Sequence, residues 1–256
     1  MAQVHASAVV DRSARLAADV QVGPHAVIEA DVVVGPGTVL LPGTVLSSGS
    51  RVGARCRLGP YATVGGLPMD RDFAGEVSFA VLEDEVELRD FSSVHRATGA
   101  GAETRIGAGS LVMSYAHVTH NVQVGRGAVL TNLVQLGGHV RVGDRAVLGA
   151  GTMVHQFAQV GAYAMVGGMS GVNRDVLPYA LARGNFAEHY RVNAVGLRRN
   201  GIEGERYHAI EQALRALRRG DDERFVQLAA DWPEVDLMRT FRDASRRGLA
   251  RFRGGS

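Results

Sequence analysis

Every sixth residue from Val4 to Val64 is Val, Ile or Leu, and the same comb resumes at Leu82, Leu88 and Val94, then runs from Ile106 to Val172. Two residues before each tooth stands a small or β-branched residue, as at Ala26, Val32, Thr38, Thr44, Ser50, Cys56 and Ala62, or Ala146, Thr152, Ala158, Ala164 and Ser170. A helix cannot use this spacing, because six residues rotate the side chain by about 240° and scatter the teeth around the cylinder. Six is a multiple of the strand period, so a tooth and the residue two before it share one face of a short strand. Each hexad therefore reads as one strand and its corner. Glycine often follows the tooth (Gly23, Gly35, Gly53, Gly59, Gly107, Gly125, Gly143) and is expected to supply the permissive backbone of that corner. Three strands close a triangular coil, and stacked coils bury a continuous aliphatic core, the pattern of a hexapeptide β-helix.

The repeat is interrupted at 66–80 and at 97–103 and ends at Val172. Residues 1–178 are read as the repeat domain and 179–256 as a second unit: a connector over 179–202, then helices over 203–253. There the apolar residues take helical spacing at Tyr207, Ile210, Leu214 and Leu217, followed by Phe225, Leu228, Val235, Met238 and Phe241. Gly-rich segments that leave a regular scaffold are where function concentrates.

The N-terminal stretch has neither a basic, apolar leader nor a spanning segment, so a cytoplasmic protein without a transmembrane segment is expected. The lone Cys56 takes an inward position and reads as a packed thiol. All 28 basic residues are Arg, and a net charge of +2 does not indicate nucleic-acid binding. Residues 191–256, however, hold 14 Arg against 10 Asp or Glu, a surface that would attract an acidic partner.

Five of the nine histidines, His95, His117, His120, His139 and His155, lie in one stretch of the repeat. Residues 18 apart stack on coils roughly 4.8 Å apart. This puts His120 under Gly138 and then Gln156, with Asn121, His139 and Phe157 in the adjacent column and Gly137 under His155. None is a tooth, so these imidazoles are expected on an outer face. Histidines beside exposed glycine backbone suit a general base with an N–H donor for an oxyanion. They also suit corner residues bonded to neighbouring coils, or a metal site in which His120 and His139 share an ion with a third imidazole, as in the γ-class carbonic anhydrases, although the tail helices and the 66–80 loop are not expected there.

The hexads, together with Met69-Asp70-Arg71-Asp72-Phe73-Ala74-Gly75-Glu76, Val94-His95-Arg96, Ala116-His117-Val118-Thr119-His120, Gly138-His139-Val140, Val154-His155-Gln156-Phe157 and Val166-Gly167-Gly168-Met169-Ser170-Gly171-Val172, resemble the UDP-N-acetylglucosamine O-acyltransferases that begin lipid A synthesis. The resemblance runs the length of the chain. It implies a left-handed parallel β-helix, an exception to right-handed crossovers, with a small C-terminal α-helical domain. It also implies a homotrimer with its active sites between subunits, and transfer of a 3-hydroxyacyl group from acyl carrier protein to the 3-position of the sugar nucleotide. His120 would be the general base and Gly138 the oxyanion donor. Asp70, His95, His117, His139 and Gln156 would hold the acylated sugar, His155 would lie along the acyl groove, Asn193 and Arg199 would contact the nucleotide, and Gly168 would gauge the acyl chain. No cofactor or metal is implied, since the carrier thioester arrives activated.

Four positions depart from the family pattern. Asn121 replaces an Asp after the base, Asp72 a Lys, Val195 a Glu, and Asn200 the second of two phosphate-binding Arg residues. An amide cannot replace an Arg fork. The departures keep three other activities in view: N-acylation of a 3-amino sugar nucleotide, metal-dependent hydration on the same fold, and a catalytically silent nucleotide-sugar-binding protein. CoA-dependent acetyl transfer fits the helical tail less well. Because Asn121 lacks charge and its amide can donate to His120, Asn121→Asp is expected to raise activity on a hydroxyl acceptor.

Overall fold

The computed structural model describes residues 2–254. Short parallel strands, most of two residues, wind into three sheets of 11, 9 and 8 strands. In the first sheet Val39 pairs with Arg57, a coil of 18 residues. Arg57 then pairs with Glu87 and Glu87 with Leu111, so the first interruption adds 12 residues and the second 6, whole hexads in each case. The comb therefore resumes in phase, which a non-multiple of six would have prevented. The prism is a left-handed parallel β-helix.

From Val22 to Val172 the teeth are buried and fill the prism with one aliphatic column. Among the described residues no coil covers the first hexads, and Val4 remains 44% exposed. The small positions point inward as well. Cys56 is buried, and buried hydroxyls at Thr38, Ser110 and Thr152 return hydrogen bonds to backbone carbonyls, which offsets their desolvation.

The corners differ from the expectation. Most, from Val22 onward, turn on a left-handed residue three positions after the tooth, such as Tyr61, Phe91, Tyr115, Asn121 and His139, with φ between 56° and 60°. The glycine directly after the tooth serves another purpose. A Cβ at Gly35 would stand 2.7 Å from the Gly53 carbonyl carbon, and one at Gly107 2.6 Å from that of Gly125. These glycines let successive coils touch backbone to backbone.

Beyond the last hexad the chain stays regular longer than a connector would. Strand Ala180–Arg183 joins the first sheet, and Glu188–Val192 returns antiparallel to it. Four helices follow: α1 (Ala194–Arg199), α2 (Gly204–Arg219), α3 (Asp222–Asp231) and α4 (Pro233–Ala244). Their apolar faces, including Ile210, Phe225, Val235 and Met238, close a second core with Leu177, Ala180 and Val192. Asp221 caps α3, and the Arg206–Glu234 pair ties α2 to α4 at 2.6 Å. No helix is long and apolar enough to cross a membrane among the described residues.

Candidate active site

The edge that follows the nine-stranded sheet carries Asn121, His139 and Phe157 in one column, as the 18-residue repeat requires. The His139 and Phe157 rings stack at 4.7 Å, and the His120 ring meets His139 edge-on at 5.3 Å. His120 is not on an open face: only 9% of it is exposed. The two inserted segments fold over this edge and hold each other there. The Gly99 N–H donates to the Glu76 carboxylate at 2.6 Å, Gly101 N–H to the Val77 carbonyl at 2.8 Å, and the Arg96 guanidinium lies over the Phe73 ring.

The second insertion also determines how His120 is protonated. The Thr98 N–H meets one end of the Asn121 side chain at 3.0 Å, so that end must be the oxygen. The Thr98 carbonyl meets the other end at 2.9 Å, so that end must be the NH2. With its amide orientation set from both sides, Asn121 presents Oδ1 to His120 Nδ1 at 3.0 Å. An oxygen here accepts, so Nδ1 carries the proton and Nε2 keeps its lone pair. This removes the expectation that Asn121 would favour the wrong tautomer. The charge that Asn121 lacks comes from Asp70 in the first insertion, whose carboxylate lies 3.5 Å from Nδ1. The Asp72 N–H, with help from Thr98, His120 and His139, holds the Asp70 carboxyl below the usual range. Burial, and secondly His120, push the His139 imidazole down.

Gly138 lies against the His120 ring so closely that a Cβ there would stand 2.5 Å from Nε2. In most hexads the N–H after the tooth joins the next coil and the left-handed residue's N–H joins the coil before, as with Gly137 to Val154 and Phe157 to Gly138. The N–H between them is left out of the ladder. At Ala54, Ala108 and Arg126 a carboxylate takes it. At Gly138 no partner takes it among the described residues.

The other expected site residues fall in three groups. His95 and His117 meet edge-on at 5.0 Å on the outer face of the nine-stranded sheet, each anchored through Nδ1, to the Leu67 carbonyl and the Ser93 hydroxyl respectively. Burial, then His95, push the His117 imidazole down. His155 and Gln156 are exposed one coil above His139. Gly168, Asn193 and Arg199 are elsewhere. Gly168 lies on the edge between the first and second sheets, and Asn193 is spent on capping α1 and on the Tyr163 carbonyl. Arg199 is exposed in the last turn of α1. Thr98 was not singled out from sequence, because the insertion breaks the column spacing that located the histidines. Asp70, His120 and His139 bring three donor atoms within 4.8 Å of one another, a set able to hold a divalent ion or to move a proton.

Residues 175–250 match the family described as Udp N-acetylglucosamine O-acyltransferase, domain 2. An acyl-[acyl-carrier-protein]–UDP-N-acetylglucosamine O-acyltransferase of Halorhodospira halophila is 39% identical over 98% of this chain and 100% of its own length. Its counterpart in Anaeromyxobacter dehalogenans is 36% identical over 97% of this chain and 99% of its own. The solved UDP-N-acetylglucosamine acyltransferase of Campylobacter jejuni superposes with a TM-score of 0.91 at 32% identity, covering 98% of this chain and 100% of that one. With identity at this level across the whole prism and the helical tail, the chain belongs to the acyl-[acyl-carrier-protein]–UDP-N-acetylglucosamine O-acyltransferase family.

Proposed function

We propose that this chain transfers a 3-hydroxyacyl group from acyl carrier protein to the 3-hydroxyl of UDP-N-acetylglucosamine. The carrying observation is the oriented His120, with Nε2 free beside the unpartnered Gly138 N–H. Nε2 takes the proton of the sugar hydroxyl as its oxygen attacks the thioester carbonyl. The tetrahedral oxyanion accepts from the Gly138 N–H. Collapse expels the carrier thiolate, which recovers the proton from His120. Asp70 stabilises the transient imidazolium. His139, His117 and His95 offer hydrogen bonds to the acylated sugar. The thioester supplies the activation, so the reaction calls on no metal or acyl-enzyme.

The working unit of this reading is a homotrimer. His120 and Gly168 occupy different edges of one prism, so a cleft that uses both is shared between copies. The edge bearing Gly168 also carries Tyr61, Phe91, Tyr115, Leu133 and Met169, each at least 46% exposed, with the three rings stacked at 5.2 and 5.1 Å. A monomer would leave this apolar column in water. The Arg-rich helical tail suits the acidic carrier protein, and such a reaction belongs in the cytoplasm.

The test incubates the protein with 3-hydroxyacyl carrier proteins of several lengths and with UDP-N-acetylglucosamine or its 3-amino analogue, and reads product mass. Ester formation that falls at least about 100-fold in His120→Ala, the low end of a general-base contribution, supports the reading. Acylation of the amino sugar alone, or activity that requires added zinc, would replace it.

A further inference from the structure

The loss of a cation at Asn200 is made good from the prism. Asn200 Nδ2 donates to the Gly196 carbonyl at 2.8 Å, which orients the amide. Its Oδ1 therefore faces outward and accepts from Arg145 Nη1 at 3.0 Å, a contact between residues 55 apart in sequence. Arg145 is an exposed corner residue with φ 53°, anchored through its own N–H to the Arg126 carbonyl at 2.8 Å. Among the described residues neither Arg145, Arg198 nor Arg199 has a carboxylate within ion-pair distance, whereas Arg51, Arg55 and Arg105 on the same prism all do. Arg198 and Arg199 stand in the last turn of α1 and Arg145 reaches the Asn200 that caps it, so this helix end carries three arginines that make no ion pair among the described residues, opposite in sign to its partial negative charge.

We infer that Arg145 is a diphosphate-binding residue for the nucleotide acceptor, paired with Arg199, and that Asn200 is the residue that positions it. This rests on the acceptor being a sugar nucleotide. A guanidinium held through one Nη by a neutral oxygen keeps its other N–H groups and its full charge for phosphate oxygens. A carboxylate at 200 would have neutralised it. Arg145 and His120 lie on different edges of one prism, so the clamp serves the His120 of a neighbouring copy.

Calorimetry with UDP and with uridine, on the wild type, Arg145→Ala, Asn200→Ala and the double variant, tests this beside steady-state kinetics. Arg145→Ala weakens UDP about tenfold or more, the scale of one charge-assisted contact. It leaves uridine affinity and Tm unchanged, and it raises KM for the sugar nucleotide far more than it lowers kcat. Asn200→Ala gives a smaller loss of the same kind, and the double variant is no worse than Arg145→Ala. Wild-type UDP affinity in Arg145→Ala, or equal losses for UDP and uridine, overturns the clamp while an active wild type preserves the acyltransferase. A wild type that binds no UDP overturns the acceptor and the clamp together.

Discussion

Replacing Asn121 by Asp tests the geometry around His120 most directly, because the structure reverses the sign expected from sequence. Asn121 makes three contacts: Oδ1 accepts from the Thr98 N–H and from His120 Nδ1, and Nδ2 donates to the Thr98 carbonyl. A carboxylate keeps the first two. It loses the third and sets an anionic oxygen 2.9 Å from the Thr98 carbonyl oxygen. An orphaned acceptor in this part-buried place costs about 1–3 kcal/mol. The variant also puts a second carboxylate beside a ring that already has Asp70 at 3.5 Å, which favours the imidazolium and so withdraws the free base. The kcat/KM of Asn121→Asp should therefore fall below wild type, and most on the acid side of the pH profile. Asn121→Ala should lower the rate at every pH by part of the roughly 10²–10⁴-fold that a general base contributes, since nothing then sets the tautomer. The assay is steady-state transfer from a 3-hydroxyacyl carrier protein between pH 5.5 and 9. An unshifted limb in Asn121→Asp, with activity equal to or above wild type, would refute the argument.

Gly138→Ala keeps the backbone N–H but places a methyl group 2.5 Å from His120 Nε2, where it displaces the ring and blocks the reacting oxygen, so it should cut kcat by about 100-fold, within the range of a lost general base, with little change in Tm. Retained turnover would show that the ring has room to shift. His189 is buried, accepts the Leu177 N–H at Nε2 and donates Nδ1–H to Ala250, and burial pushes its imidazole down to about 4. Below the unfolded value the unfolded chain binds the extra proton, so stability should decline by about 3 kcal/mol as pH falls from about 6.5 to 4. Denaturation curves in which His189→Gln declines as steeply would remove His189 as the cause. Leu130→Ala in the prism should cost about 2–5 kcal/mol, while Val4→Ala, 44% exposed, should cost little; equal losses in chemical denaturation would contradict the packing account.

The prism was legible in the sequence because its rule is local. A period of six is at once a multiple of the strand alternation and one side of a triangle, so the inward residues could be named before any coil was closed. The same arithmetic placed His120 beneath Gly138 and His139 beneath Phe157, because stacking needs only a constant coil length. Corner chemistry was less legible. The glycine after the tooth is conspicuous in sequence, but the left-handed residue is two further on, where Tyr61, Phe91, His139 and other side chains adopt φ above 50° with no compositional signal.

What the sequence alone determined, then, was the hexad prism, its core, and the column in which the histidines stand. The tertiary structure decided how that column works. The insertions lie outside the repeat, and no period predicts that Thr98 grips both ends of the Asn121 amide or that Asp70 returns a carboxylate to His120. Nor does any period bring Asn200 to Arg145 across 55 residues. A repeat specifies contacts between coils at fixed separation; a loop's contacts depend on where its closure and packing are satisfied, which only the folded chain settles.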